Sequence, residues 1–186
     1  MIEIRTHGRG GQGAVIASEI LADAFFREGK FVQAFPAFGV ERRGAPVVAF
    51  TRVSETEIRE RCQIYEPDHL IVLDPVLIDT VNITSGLKDG GWIIINTNRD
   101  MSDSDLLDRY RLAIIDANSI AVKHGLGSRA APIVNTAILG AFSAASGLVG
   151  LEAVLDAVEE FVPLKKRENR LATKEAYESV KVLSRK

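Results

Sequence analysis

Seven residues near the amino terminus, His7-Gly8-Arg9-Gly10-Gly11-Gln12-Gly13, have the types and spacing of a backbone anion-binding loop. They follow the apolar-alternating run Ile2-Glu3-Ile4-Arg5 and precede a helical pattern that begins at Ala14. Glycine has no Cβ and tolerates positive φ, so the chain here can approach a ligand or another chain closely. The N–H groups that open the following helix have no intrahelical partners, and with the helix dipole they favour an anion. The competing reading is that the glycines only let the first helix pack closely on a sheet.

Gly8-x-Gly10-x-x-Gly13 matches the dinucleotide fingerprint in its letters. That fingerprint also needs an acid ~20 residues on, at the end of the second strand, to hold the ribose hydroxyls. Here the segment reads Phe31-Val32-Gln33-Ala34-Phe35-Pro36, with no acid before Glu41, which weakens a nicotinamide reading. A Walker A loop needs Lys-Ser/Thr after its last glycine. Gly13 is followed by Ala14-Val15, so that reading fails.

A second segment, Phe35-Pro36-Ala37-Phe38-Gly39-Val40-Glu41-Arg42-Arg43-Gly44-Ala45-Pro46, is too shaped for a plain connector. Prolines fix φ and glycines permit tight bends. Aromatics beside paired arginines have the composition of a protein interface, and arginine can clamp a carboxylate or phosphate with two hydrogen bonds. Phe35 and Phe38 could equally be core residues with the arginines solvated.

Other chemistry is sparse. Cys62 is the only cysteine, so the chain can form no internal disulfide and cannot ligate an iron–sulfur cluster with four thiolates. His7, His69 and His124 show no metal-ligand spacing, and no catalytic triad stands out. Asp74, Asn96 and Asp116 each follow an apolar run, where open α/β sheets bind ligands. Each could instead cap a helix or shape a turn. For Asp74, directly before Pro75, the cap or turn is the expectation.

These residues need a scaffold, and the patterning supplies one. Ile2–Thr6, Phe31–Phe35 and Val47–Val53 read as strands. Leu70-Ile71-Val72-Leu73, Trp92-Ile93-Ile94-Ile95 and Leu112-Ala113-Ile114-Ile115 are continuous apolar runs, as strands buried on both faces require. Ala14–Arg27 reads as a helix with Ile16, Ile20 and Ala24 inward, ended by Gly29. Helices are expected over Ile133–Ser146, along the stripe Leu151, Val154, Leu155 and Val158, and from about Arg170 with Ala172, Ala176, Val180 and Leu183 inward. The expected fold is a three-layer α/β/α domain spanning 1–186, with a mostly parallel sheet and a helical C-terminal third.

A chain of 186 residues is a normal size for one domain. Its net charge of −2 gives no argument for nucleic acid. Residues 164–186 hold eight Lys/Arg against three Glu, which reads as a solvated helix face or, less simply, a docking surface. No apolar run reaches about 18 residues and no leader is visible, so a soluble, cytoplasmic chain away from membranes is expected.

In combination the motifs are recognisable. Gly8-Arg9-Gly10-Gly11-Gln12-Gly13 and Gln33 to Pro46 resemble the gamma subunit of pyruvate/ketoisovalerate ferredoxin oxidoreductases. So do Gln63-Ile64-Tyr65-Glu66-Pro67-Asp68, Val72-Leu73-Asp74-Pro75 and Asn135-Thr136-Ala137-Ile138-Leu139-Gly140-Ala141-Phe142. The resemblance implies a subunit of a pyruvate synthase-type enzyme that oxidatively decarboxylates a 2-oxoacid. Such an enzyme joins the acyl group to coenzyme A and reduces ferredoxin or flavodoxin. It implies thiamine diphosphate, Mg and 4Fe-4S clusters on companion alpha, beta and delta subunits, and coenzyme A as the ligand nearest this chain. On that reading Gly8, Arg9, Gly10, Gly11, Gln12 and Gly13 would hold the phosphates, with Arg9, Arg42 or Arg43 as counter-charges. Phe35, Pro36, Phe38, Glu41, Arg42 and Arg43 would meet the partner subunits. A ligand-free interaction module and a free-standing nicotinamide dehydrogenase are the alternatives.

Overall fold

The apolar runs become the centre of one seven-stranded sheet. In the computed structural model, which describes residues 1–37 and 44–184, the strands are β1 (Ile2–Arg9), β2 (Phe31–Pro36), β3 (Pro46–Ser54), β4 (His69–Val72), β5 (Trp92–Asn96), β6 (Arg111–Ile115) and β7 (Lys181–Leu183). The helices are α1 (Ala14–Arg27), α2 (Val76–Thr80), α3 (Ala117–Lys123), α4 (Ala137–Ser146), α5 (Leu151–Phe161) and α6 (Lys166–Ser179). Strand order is β2-β3-β1-β4-β5-β6-β7. The central strands β1, β4, β5 and β6 are parallel. β3 runs antiparallel to β1 and to β2 on one side, and β7 antiparallel to β6 on the other.

The continuous apolar runs have two cores to fill, one on each face. Ile71, Ile94, Ala113 and Ile115 join Ile20, Ile138, Val154 and Ala172 of the helices. Leu70, Val72, Ile93, Ile95, Leu112 and Ile114 point the other way, to Leu77 of α2 and to Ile83, Leu87 and Tyr110 of the connections. The two outer layers are therefore unequal: α1 and α3 to α6 cover the first face, short segments the second. This mixed α/β architecture, parallel in its centre, is the expected fold class.

Several boundaries differ from the pattern reading, each for a physical reason. β1 continues through His7, Gly8 and Arg9, because Val48, Val47 and Pro46 pair with them. α1 ends where expected, with Gly29 N–H bonding Phe26 C=O and Lys30 N–H bonding Phe25 C=O. Ile16, however, is 46% exposed, and Ala17, Ile20, Leu21 and Ala24 form the inward face instead. α4 starts at Ala137, not Ile133. α6 starts at Lys166 and stops at Ser179, and Leu183 belongs to β7. Apolar spacing could not separate a last helical turn from a three-residue edge strand.

One topological fact sets the position of the site. β1 connects through α1, on the first face, to β2 on one side of it. β4 connects through α2, on the opposite face, to β5 on the other side. The order reverses between β1 and β4, and such a switch point leaves a crevice outside the carboxyl ends of its strands.

Candidate functional site

A cleft of about 1000 Å³ opens at that switch point. One wall is Arg9, Gly10, Gly11 and Gln12; the floor includes Leu73, Asp74 and Asn96; the far wall is α3 and residues 129–134.

The glycine loop divides into structural and open parts. Gly8 lies on β1, and a Cβ there would sit 3.1 Å from both Ala14 Cβ and Leu73 Cδ1. Its role is close packing of α1 on the sheet, the simpler of the two expectations. Gly10 N–H bonds Ala45 C=O at 2.9 Å, Gln12 N–H bonds Arg9 C=O at 2.9 Å, and Gly10 C=O accepts from Gly44 N–H at 3.1 Å. Arg9 N–H bonds Gln12 Oε1 at 2.7 Å. Among the described residues, the N–H groups of Gly11, Gly13 and Ala14 have no hydrogen-bond partner. Gly13 takes φ 78° at the start of α1. A Cβ on it would come 2.6 Å from Asn135 Nδ2, so both its conformation and its space exclude a side chain.

Asp74 is the hub of the cleft floor. It is only 4% exposed. One carboxylate oxygen, Oδ2, accepts from Arg9 Nε at 2.6 Å and from Gln12 Nε2 at 2.8 Å, and ion-pairs with Arg9 Nη2 at 2.6 Å. The other, Oδ1, accepts Val76 N–H at 3.0 Å. Of the expected cap or turn it is the turn that is present, one residue before the start of α2, and a clasp across the switch point is added to it. Asn96 Nδ2 donates to Leu73 C=O at 2.9 Å and to Asn118 Oδ1 at 3.2 Å, while its Oδ1 accepts Ala117 N–H at 3.0 Å. Asp116 caps α3 through Ser119 N–H at 2.9 Å and Ser119 Oγ at 2.6 Å.

The far wall is what sequence reading missed. Arg129 stands at the tip of a tight turn in which Ser128 N–H bonds Ala131 C=O and Ala131 N–H bonds Ser128 C=O, both at 3.1 Å. Lys123 also lines the cleft, but Glu175 holds it with both carboxylate oxygens at 2.9 Å. The signal available was Gly125-Leu126-Gly127-Ser128 followed by Pro132, a turn-rich stretch between two helices.

Of the second expected segment, Phe35 and Pro36 end the edge strand β2. Phe35 stacks on Phe50 with centroids 5.2 Å apart, and the Arg52 guanidinium lies 5.3 Å from its ring centre. Phe35 is thus half-buried on the edge strand, outside both cores. Phe38, Glu41, Arg42 and Arg43 lie outside the described residues; Gly44, next in sequence, lines the cleft.

The remaining candidates are structural. His7 Nε2 accepts from Arg5 Nε at 3.0 Å, and burial, with the charge of Arg5, pushes its pKa down to about 3. His69 Nδ1 accepts Trp92 N–H at 3.1 Å, and burial first of all pushes it down to about 4. Among the described residues no group of three or more His, Cys, Asp or Glu could hold a metal ion. Arg170 of the basic C-terminal stretch is bridged to Asp156 at 3.1 Å and Glu159 at 3.0 Å, as a solvated helix face would be. No helix among the described residues is long and apolar enough to cross a membrane.

Known proteins resemble the chain over nearly its whole length. The model of the family Pyruvate ferredoxin/flavodoxin oxidoreductase matches residues 3–179. The common subunit gamma of the pyruvate/ketoisovalerate oxidoreductases of Thermococcus kodakarensis is 55% identical over 183 residues, covering 95% of this chain and 96% of that one. Pyruvate synthase subunit PorC of Methanothermobacter thermautotrophicus is 50% identical over 184 residues, covering 98% of both. The crystal structure of pyruvate oxidoreductase subunit PORC from Thermotoga maritima superposes with a TM-score of 0.81 at 35% identity, covering 98% of each chain.

Proposed function

The chain belongs to the pyruvate ferredoxin/flavodoxin oxidoreductase family as a gamma subunit, and from that premise we propose that it supplies the coenzyme A phosphate site of a 2-oxoacid:ferredoxin oxidoreductase. Its partners are the alpha, beta and delta subunits, which carry thiamine diphosphate, Mg and the 4Fe-4S clusters. The complex turns a 2-oxoacid and coenzyme A into acyl-CoA and CO2, passing two electrons to ferredoxin or flavodoxin. The chain itself, with one cysteine, takes no part in electron storage. Its place is the cytoplasm, where its substrate and electron acceptor are.

One observation carries the reading. The N–H groups of Gly11, Gly13 and Ala14 lack partners among the described residues, and Gly11 lines a cleft of about 1000 Å³ together with Arg9, Gly10 and Gln12. Amides at a helix start favour a phosphate. A cleft at the upper end of the usual ligand range suits a long ligand such as coenzyme A. The edge strand β2 and the segment after it remain the proposed docking surface for the companion subunits, with Phe35 and Pro36 at its described end.

The test is calorimetric titration of the reconstituted complex with coenzyme A, with NAD as control. Gly11 has φ 95°, and a Cβ added to it would meet nothing within 4 Å, so Gly11→Val strains the loop without a clash. The expected result is a loss of roughly tenfold or more in coenzyme A affinity. Unchanged affinity in that variant would remove the phosphate-loop reading, and heat from NAD alone would favour the dehydrogenase alternative.

A further inference from the structure

Among the described residues the cleft is lined by two arginines in opposite states, and we propose that they divide the work. Arg9 is a positioning residue, clasped by Asp74. Arg129 is the specificity-determining cation that reads a phosphate monoester of the ligand. This rests on the coenzyme A reading above and adds to it which charge recognises the second phosphate.

Arg9 is committed. Its Nε and Nη2 both lie 2.6 Å from Asp74 Oδ2, and Gln12 Nε2 donates to the same oxygen at 2.8 Å. Asp74 is 4% exposed. Swinging Arg9 onto a ligand would leave a buried carboxylate short of its countercharge, which is costly. The clasp instead fixes the loop: Arg9 N–H and Asp74 are both held by the Gln12 side chain. Arg9 and Asp74 therefore cancel in charge and set the direction of the open amides.

Arg129 is uncommitted. It is exposed, lines the same cleft as the glycine loop, and forms no ion pair or hydrogen bond among the described residues. Of the described cations lining the cleft, Arg9 is neutralised by Asp74 and Lys123 by Glu175, which leaves Arg129 with free charge. Its turn is closed by two backbone bonds, a third contact from Ala131 N–H to Ser128 Oγ at 3.2 Å, and a bridge between Gly127 and Pro132. A planar guanidinium on a braced turn suits a phosphate with two free oxygens. The loop side also carries an unsatisfied group. Asn135 is 5% exposed, its amide abuts Gly13, and its Oδ1 has no partner. Among the described residues, the cleft lining thus offers the open amide of Gly11 and the free cation of Arg129. That pattern fits a ligand with an internal pyrophosphate and a separate terminal phosphate.

The test is steady-state kinetics of the reconstituted complex with coenzyme A and with dephospho-coenzyme A, which lacks the monoester. Arg129→Gln is expected to raise KM for coenzyme A roughly five- to tenfold, with a smaller effect on kcat, and to change KM for dephospho-coenzyme A by less than about twofold. Arg9→Gln and Asp74→Asn are expected to affect both ligands alike, with the double variant no worse than the poorer single one. Equal KM changes for the two ligands in Arg129→Gln would overturn the assignment, as would loss of discrimination in Arg9→Gln alone. If Gly11→Val and Arg129→Gln both leave KM for coenzyme A untouched, the cleft reading itself fails.

Discussion

The carboxyl ends of β4 and β6 present the same residue type to the same edge of the sheet, and the two aspartates have opposite fates. Asp116 is followed at once by α3, and both its oxygens are used within three residues, by Ser119 N–H and Ser119 Oγ. The cleft beside it is small, about 340 Å³. Asp74 spends one oxygen on its own helix and the other on residues 65 and 62 positions away in sequence, Arg9 and Gln12. Topology makes the difference. At β6 the chain continues straight into the cap. Between β1 and β4 the connections leave to opposite faces, so a crevice stays open and a carboxylate can reach across it. Polar residues at strand ends become site residues where the connections diverge, not merely where strands end.

The largest effect is expected where the switch-point loop is denied its shape. Gly13→Ala adds a Cβ 2.6 Å from Asn135 Nδ2 at a backbone φ of 78°. Strain at such a conformation and the displaced carboxamide together should cost about 3 kcal/mol. Denaturant unfolding should show a lower midpoint with an unchanged slope. Coenzyme A binding by the complex should fall with it. Unchanged stability would mean that the loop tolerates a geometry in which its amides point elsewhere.

Acid probes the strands on which the two ends hang. His7 on β1 and His69 on β4 are neutral in the fold, pushed by burial to about 3 and about 4. In the unfolded chain each takes up a proton near its ordinary value of 6.5. The folded pKa is depressed, so the stability is fully present above about pH 6.5 and is lost as pH falls toward 3 to 4. Each histidine contributes a slope of about 1.4 kcal/mol per pH unit in that window. His7→Gln should flatten the acid limb of a stability–pH curve by about one histidine's worth. A limb of unchanged slope in that variant would show that His7 is not held neutral.

The sequence disclosed the scaffold better than the site. Leu70 to Val72, Trp92 to Asn96 and Leu112 to Ile115 could be read as strands because burial on both faces leaves no polar positions. Nothing in those runs encodes direction or order, so the antiparallel β2–β3 hairpin beside β1 was not legible. At the site, four glycines between strand and helix were enough to locate the loop. They did not separate Gly8, which serves packing, from Gly11 and Gly13, which leave amides open. The ion pair of Arg9 was not legible, because its partner Asp74 lies in a different motif. Arg129 went unnoticed because an arginine in a turn has no periodicity to mark it. Both are facts of tertiary contact, and local patterning carries none of that information.

The smallest expected effects are the ones that separate the two aspartates most cleanly. Asp116→Ala removes the α3 cap, worth about 1 kcal/mol. Because both its oxygens act locally, coenzyme A kinetics of the complex should not change. Asp74→Ala removes one turn hydrogen bond, worth about 1 kcal/mol, and also releases Arg9 and Gln12 from the cleft floor. Arg9 is partly solvated, with 43% of its side chain exposed, so the freed guanidinium finds water and the added cost to stability stays modest. The two variants should therefore be nearly matched in unfolding free energy and differ in KM for coenzyme A, which should change only in Asp74→Ala. Matched KM values would mean that Asp74, like Asp116, serves only its local turn. The divergence of connections at the switch point would then have opened a crevice without making its floor part of the site.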